Sequence, residues 1–125
     1  MKRVFSTDQA PQAIGPYSQM VRGGDFVFLS GQIPLKVDGS LIDGPIEEQV
    51  KQIMENIKAM LESLDMKMEK IVKTTIYLTD LNDFAKVNEV YGSYFGSEPP
   101  ARSTVQVAAL PKGAKIEIEA VAFLN

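Results

Sequence analysis

Apolar residues recur at two distinct spacings along this 125-residue chain, and the spacings divide it into helices and strands. Ile46, Val50, Ile53, Met54, Ile57, Leu61 and Leu64 fall three and four apart, which predicts one continuous stripe on a helix of about five turns. Pro45 suits the first position of that helix, and Glu47 and Glu48 suit its positive end. A shorter stripe of Leu81, Phe84, Val87 and Tyr91, with Tyr94 or Phe95, predicts a second helix. Asp80 or Asn82 can cap it, and Gly96 and Pro99-Pro100 end it. Strand patterns cover residues 17–21, 26–30, 71–78, 101–107 and 115–124. Gly23-Gly24-Asp25 reads as a hairpin turn between the first two, and Leu110-Pro111-Lys112-Gly113 joins the last two.

Alternation within the last two strands assigns their faces. Ile116, Ile118, Ala120 and Ala122 share one side of the final strand, with Lys115, Glu117 and Glu119 on the other. In the preceding strand Ser103, Val105 and Val107 oppose Arg102, Thr104 and Gln106, so the valines are expected to face the helices. The order ββ-α-β-α-ββ predicts an α+β fold, a mixed β-sheet with two helices packed on one face. The other face is then expected to carry Arg102, Thr104, Gln106, Glu117 and Glu119 together. A polar sheet face is usually a solvated one. Here Tyr77, Val121 and Phe123 also fall at outward positions, and two helices cannot cover both sides of the sheet. A second subunit is the natural cover, and an Arg at such an interface would be partly desolvated and suited to grip a carboxylate at two points.

Composition narrows the chemistry. The chain has no Cys and no His, which excludes disulfides, thiolate nucleophiles, zinc-thiolate sites, Ser-His-Asp triads and imidazole acid–base catalysis. Chemistry must come from carboxylates, Arg, Lys, Tyr, hydroxyls, backbone groups and water. Thirteen basic against sixteen acidic residues give a net charge of −3, which argues against nucleic-acid binding. No apolar run approaches the ~20 residues needed to cross a bilayer, and no apolar stretch follows the basic pair Lys2-Arg3 as a secretory signal requires. No repeat or linker interrupts the chain. The expectation is a single cytoplasmic domain spanning 1–125, with no membrane or nucleic-acid partner.

Two further segments stand out, Ile14-Gly15-Pro16-Tyr17-Ser18-Gln19 and Ser30-Gly31-Gln32-Ile33-Pro34. Each has an ordinary explanation as a turn or a strand end, and neither is a phosphate-binding glycine loop. Residue types and spacing alone do not join them to Arg102 and Glu117 in one site.

These two segments, with NDFAKVNEVY at 82–91, PARSTV at 100–105, Leu110-Pro111-Lys112 and Ile116-Glu117-Ile118-Glu119-Ala120, resemble the RidA (YjgF/YER057c/UK114) family in order and spacing. The resemblance covers essentially the whole chain. It implies a chorismate-mutase-like fold and a homotrimer with a central β-barrel, outer helices and sites in clefts between subunits. The implied activity is hydrolysis of 2-iminopropanoate, derived from 2-aminoacrylate, and of 2-iminobutanoate, to 2-oxo acids and ammonia. No cofactor or metal is implied. The functional link is to pyridoxal-phosphate enzymes that release such intermediates. By motif, Arg102 would bind the substrate carboxylate and Glu117 would hold and polarise water. Tyr17, Ser30, Gly31, Asn88 and the backbone at Thr104 would line the cleft. Many deaminase members carry Cys where this chain has Thr104. The rival reading is a trimer that binds a small carboxylate as a regulator without turnover. A ribonuclease role ranks low because the chain lacks both basic charge and His, and a chaperone role would need exposed apolar surface.

Overall fold

A computed structural model describes residues 2–124. Six strands form one sheet: β1 (Lys2–Phe5), β2 (Met20–Gly23), β3 (Phe26–Gln32), β4 (Ile71–Leu78), β5 (Ala101–Gln106) and β6 (Ile116–Phe123). Their order across the sheet is β1-β2-β3-β6-β4-β5. All neighbours are antiparallel except β4 and β5, which run parallel. The parallel pair requires a crossover, supplied by α2 (Phe84–Gly92) and the 3₁₀ turn Leu81–Asp83 that leads into it. The Asp80 carboxylate accepts a hydrogen bond from the Asn82 amide at 2.9 Å, so it caps that turn.

The long helix α1 (Ile46–Glu62) buries the expected stripe: Val50, Ile53, Met54, Ile57 and Leu61 are wholly inaccessible. They pack on Val27, Ile76, Leu78, Ile116 and Ile118 from the inner sheet face, in one continuous core. The mixed sheet with both helices on one face is the predicted α+β architecture. Truncating Ile57 to Ala should therefore cost about 2–5 kcal/mol of folding free energy, read as a lowered urea midpoint. A loss under 1 kcal/mol would mean the helix is not anchored by this stripe.

Three differences from the sequence reading have physical causes. Residues 2–5 add a strand that was not expected, because Lys-Arg-Val-Phe is too short and too exposed to show an alternating pattern. Strand β2 begins at Met20 rather than at residue 17, since Tyr17 and Ser18 lie in a bent loop, and β3 continues through Gly31 to Gln32 with a register irregularity after Leu29. The third difference matters most. Arg102, Thr104 and Gln106 pair with Thr74, Ile76 and Leu78, whose side chains are buried on the helix side of the sheet. Arg102, Thr104 and Gln106 therefore share the helix face, and Ser103 and Val105 stand on the open face with Glu117 and Glu119. This reverses the expected facing of β5. On this edge strand Arg102 meets Asn88 and the rings of Phe84 and Tyr91 on α2, and Gln106 accepts from Leu81 N–H at 2.9 Å, so burial of Val105 did not set the orientation.

The open face mixes polar and apolar groups. Phe28 is half-exposed and Phe26 and Val105 are exposed, and Tyr77, Val121 and Phe123 flank them. No helix among the described residues is long and apolar enough to cross a membrane.

Candidate active site

Glu117 lies at the centre of the predicted set. It stands on the open side of β6, opposite Tyr77 of β4, and is half-buried. On the β3 side its carboxylate rests against Gly31. A β-carbon placed there would run into the carboxylate oxygen and lie 2.8 Å from Cδ. Only glycine leaves that space. Burial, and then the negative charge of Glu119, hold the Glu117 carboxyl above the usual carboxylate range.

A cavity of about 280 Å³ opens beside this carboxylate, walled by Pro11, Ile14, Tyr17, Ile33, Leu35 and Pro111. It is apolar except for a few groups, an arrangement that suits a small ligand with one reactive polar centre. The wall formed by residues 11–17 has no regular secondary structure and is held by side chains. The buried Gln19 amide accepts from Thr7 N–H at 2.8 Å and donates to the carbonyls of Pro11 at 2.9 Å and Thr7 at 3.2 Å. The Tyr17 hydroxyl accepts from Ile14 N–H at 3.2 Å. The Ser30 hydroxyl is tied to the Ser18 carbonyl at 2.5 Å, joining the loop to β3. Gln19 and Ile33 fall within the two segments that stand out in the sequence but had no site role there, and Leu35 lies outside both. The signal for Gln19 was a polar residue directly before a strand that turns out to be wholly buried at its first position.

The second group lies on the other side of the sheet. Arg102 Nη1 donates to Asn88 Oδ1 at 2.7 Å, and its guanidinium carbon sits 5.1 Å from the Tyr91 ring centre and 5.4 Å from that of Phe84. Tyr91 is itself braced by a 2.6 Å hydrogen bond with Thr74 and by the Phe95 ring at 4.9 Å. One guanidinium nitrogen is thus held from α2, and aromatic rings fix its plane. The Thr104 hydroxyl, two residues on, is buried with no hydrogen-bond partner among the described residues.

The structure therefore brings Tyr17, Gly31 and Glu117 together at the cavity, with Ser30 just behind, and brings Asn88, Arg102 and Thr104 together on the helix face of β5. Within one protomer the two groups are separated by β4, about 10 Å at ordinary strand spacing, and by the sheet itself. Among the described residues no three carboxylates cluster as a metal-binding group.

The family model described as Endoribonuclease L-PSP matches residues 7–124. This chain belongs to the RidA (YjgF) family. A RutC family protein of Pyrococcus horikoshii is 50% identical over 124 residues, covering 98% of this chain and 98% of its own. The human 2-iminobutanoate/2-iminopropanoate deaminase is 49% identical over 124 residues, 98% of this chain and 90% of that one. Among solved structures, Escherichia coli TdcF with bound serine aligns with a TM-score of 0.91 at 44% identity, covering 97% of this chain and 98% of that chain. The α+β fold is thus the family's chorismate-mutase-like one. For this RidA-family chain, Gly31→Ala is expected to leave the urea midpoint nearly unchanged, because the Glu117 tip can swing aside. Any activity that depends on the placement of that carboxylate should fall at least tenfold, since a misplacement of about 1 Å can cost ~10²-fold. Equal losses of stability and activity would contradict this.

Proposed function

We propose that this protein hydrolyses 2-imino acids of three and four carbons, 2-iminopropanoate and 2-iminobutanoate, to 2-oxo acids and ammonia, at sites shared between the copies of a homotrimer. The observation that carries the reading is Glu117: a half-buried carboxylate facing an apolar cavity, its affinity for protons raised by burial and by Glu119. Such a group is suited to take a proton from water. An imine carbon is already electrophilic, so water placement and charge anchoring can supply much of the acceleration. Water adds to the carbon as Glu117 accepts its proton. That proton then returns to nitrogen to give the carbinolamine, and Glu117 next carries the hydroxyl proton to the amino nitrogen, so that ammonia leaves as the C=O bond forms.

Arg102 would hold the substrate carboxylate. Because it lies across the sheet from its own Glu117, the pair can meet on one substrate only if it comes from two copies. The open sheet face, with Phe26, Phe28 and Val105 exposed, offers the surface for that association. The name of the human relative and the serine bound to E. coli TdcF support a small amino-acid-like ligand. The reactions that supply such imines are eliminations from amino acids by pyridoxal-phosphate enzymes.

A coupled assay tests the activity. A threonine dehydratase generates 2-iminobutanoate, and release of 2-oxobutanoate is expected to be faster with this protein than without it. Equal rates would reject the hydrolase and leave Arg102 with carboxylate capture alone. Assembly is checked separately by sedimentation, where a trimer is expected at micromolar concentration and a stable monomer would remove the shared site.

A further inference from the structure

Tyr77 stands directly across from Glu117 in the pairing of β4 with β6, yet its hydroxyl passes that carboxylate and donates to Glu119 Oε1 at 2.6 Å. Glu117 and Glu119 are two residues apart on one strand face, about 7 Å between α-carbons, and both are half-buried. One carboxylate of the pair is thus tied to a phenol. The other, beside the cavity, receives no hydrogen bond among the described residues. We propose that Tyr77 is a positioning residue: by tethering Glu119 it fixes one negative charge beside Glu117 and leaves Glu117 as the member of the pair free to exchange a proton with water in the cavity. Two equivalent carboxylates would share that task. A tether on one of them separates the roles, as environments do at other paired carboxylates.

The surroundings agree. The Tyr77 phenol is held above its ordinary range by its bond to Glu119, by burial and by the charges of Glu119 and Glu117, so it remains a donor. The groups facing Glu117 are few. Glu119 lies on its own strand, Tyr77 on β4 and Tyr17 across the cavity, and β3 supplies only Gly31 and Gln32. Lys112, on the connection before β6, points its ammonium to the Gly39 carbonyl at 3.4 Å, and Lys73 lies in a separate hollow with Phe28, Thr75 and Glu119. In the proposed trimer, Arg102 from a second copy would join them.

The kinetic side of this inference rests on the proposed hydrolysis; the titration side does not. The experiment is a carbon-detected NMR titration of protein labelled at the Glu carboxyls, with Glu117 and Glu119 assigned through E117Q and E119Q. It is run on the wild type, E119Q, Y77F and the Y77F/E119Q double variant, beside the pH dependence of kcat/KM in the coupled assay. Removing the fixed charge in E119Q should move the Glu117 midpoint, and the acidic limb of kcat/KM, to lower pH. In Y77F the released Glu119 gains water and is better screened, so both should move the same way but less far. Y77F should add nothing once Glu119 is Gln. An unmoved Glu117 midpoint in E119Q, or an equal Y77F shift with and without Glu119, would overturn the tether. Wild-type protein without hydrolytic activity would instead reject the proposed reaction, and the titration would still decide the tether.

Discussion

Arg102→Lys is expected to lower kcat/KM by about 10²-fold, although it conserves charge. The guanidinium is held by Asn88 at 2.7 Å and lies against Tyr91 and Phe84, so its plane and its unpaired edge are set before any ligand arrives. That edge can give a carboxylate two parallel hydrogen bonds. A lysine ammonium gives a single point of charge and cannot rest flat on the rings. Charged hydrogen bonds are worth about 1.5–3 kcal/mol each, and losing one with its geometry accounts for the predicted factor. The loss should fall mainly on KM, with the trimer intact by sedimentation. Arg102→Ala should lose at least as much and also loosen α2, because the aromatic rings lose their cover. Near-normal kcat/KM in Arg102→Lys would refute the two-point grip.

Glu117→Gln is expected to reduce kcat by about 10²–10⁴-fold with little change in affinity for a 2-oxo acid. The amide fits the space over Gly31 and keeps a hydrogen-bonding tip, but it cannot take the proton of water. In the wild type the elevated proton affinity of Glu117 has a definite sign: activity needs the ionised carboxylate, so kcat/KM falls as pH drops through its midpoint, at a higher pH than an exposed Glu would give. That limb should vanish in Glu117→Gln. Glu119→Gln is the control. It lies on the same face, but its carboxylate is engaged by Tyr77, so its kcat loss should be the smaller. Equal and modest losses would indicate a diffuse electrostatic role for both. Full activity in Glu117→Gln would leave non-catalytic carboxylate binding as the better reading.

Much of the architecture is legible in the chain. The stripe from Ile46 to Leu61 specifies α1 because six apolar residues at helical spacing bury well on only one surface. The alternation in β6 specifies its facing for a similar reason: Ile116, Ile118, Ala120 and Ala122 go to the core, so Glu117 and Glu119 must turn outward. The absence of His and Cys confines the chemistry to carboxylates, Arg, Lys, Tyr, hydroxyls, backbone groups and water. The family resemblance then picks Glu117 and Arg102 from among the charged residues, a choice that spacing alone leaves open.

The facing of β5 was decided elsewhere. Arg-Ser-Thr-Val-Gln offers no side apolar enough to dictate burial, and a shift of one residue against β4 would exchange its faces. The parallel register with Thr74, Ile76 and Leu78 resolves this, and the rings of Phe84 and Tyr91 on α2 accept the Arg102 stem and guanidinium where a core would reject the charge. The approach of Glu117 to Gly31, the Gln19 clamp and the Tyr77–Glu119 bond are likewise contacts between residues 8 to 86 positions apart. Local sequence settles which way a strongly patterned segment turns. Only the tertiary structure settles what a weakly patterned one meets, because there the orientation is chosen by neighbours that the segment itself does not encode.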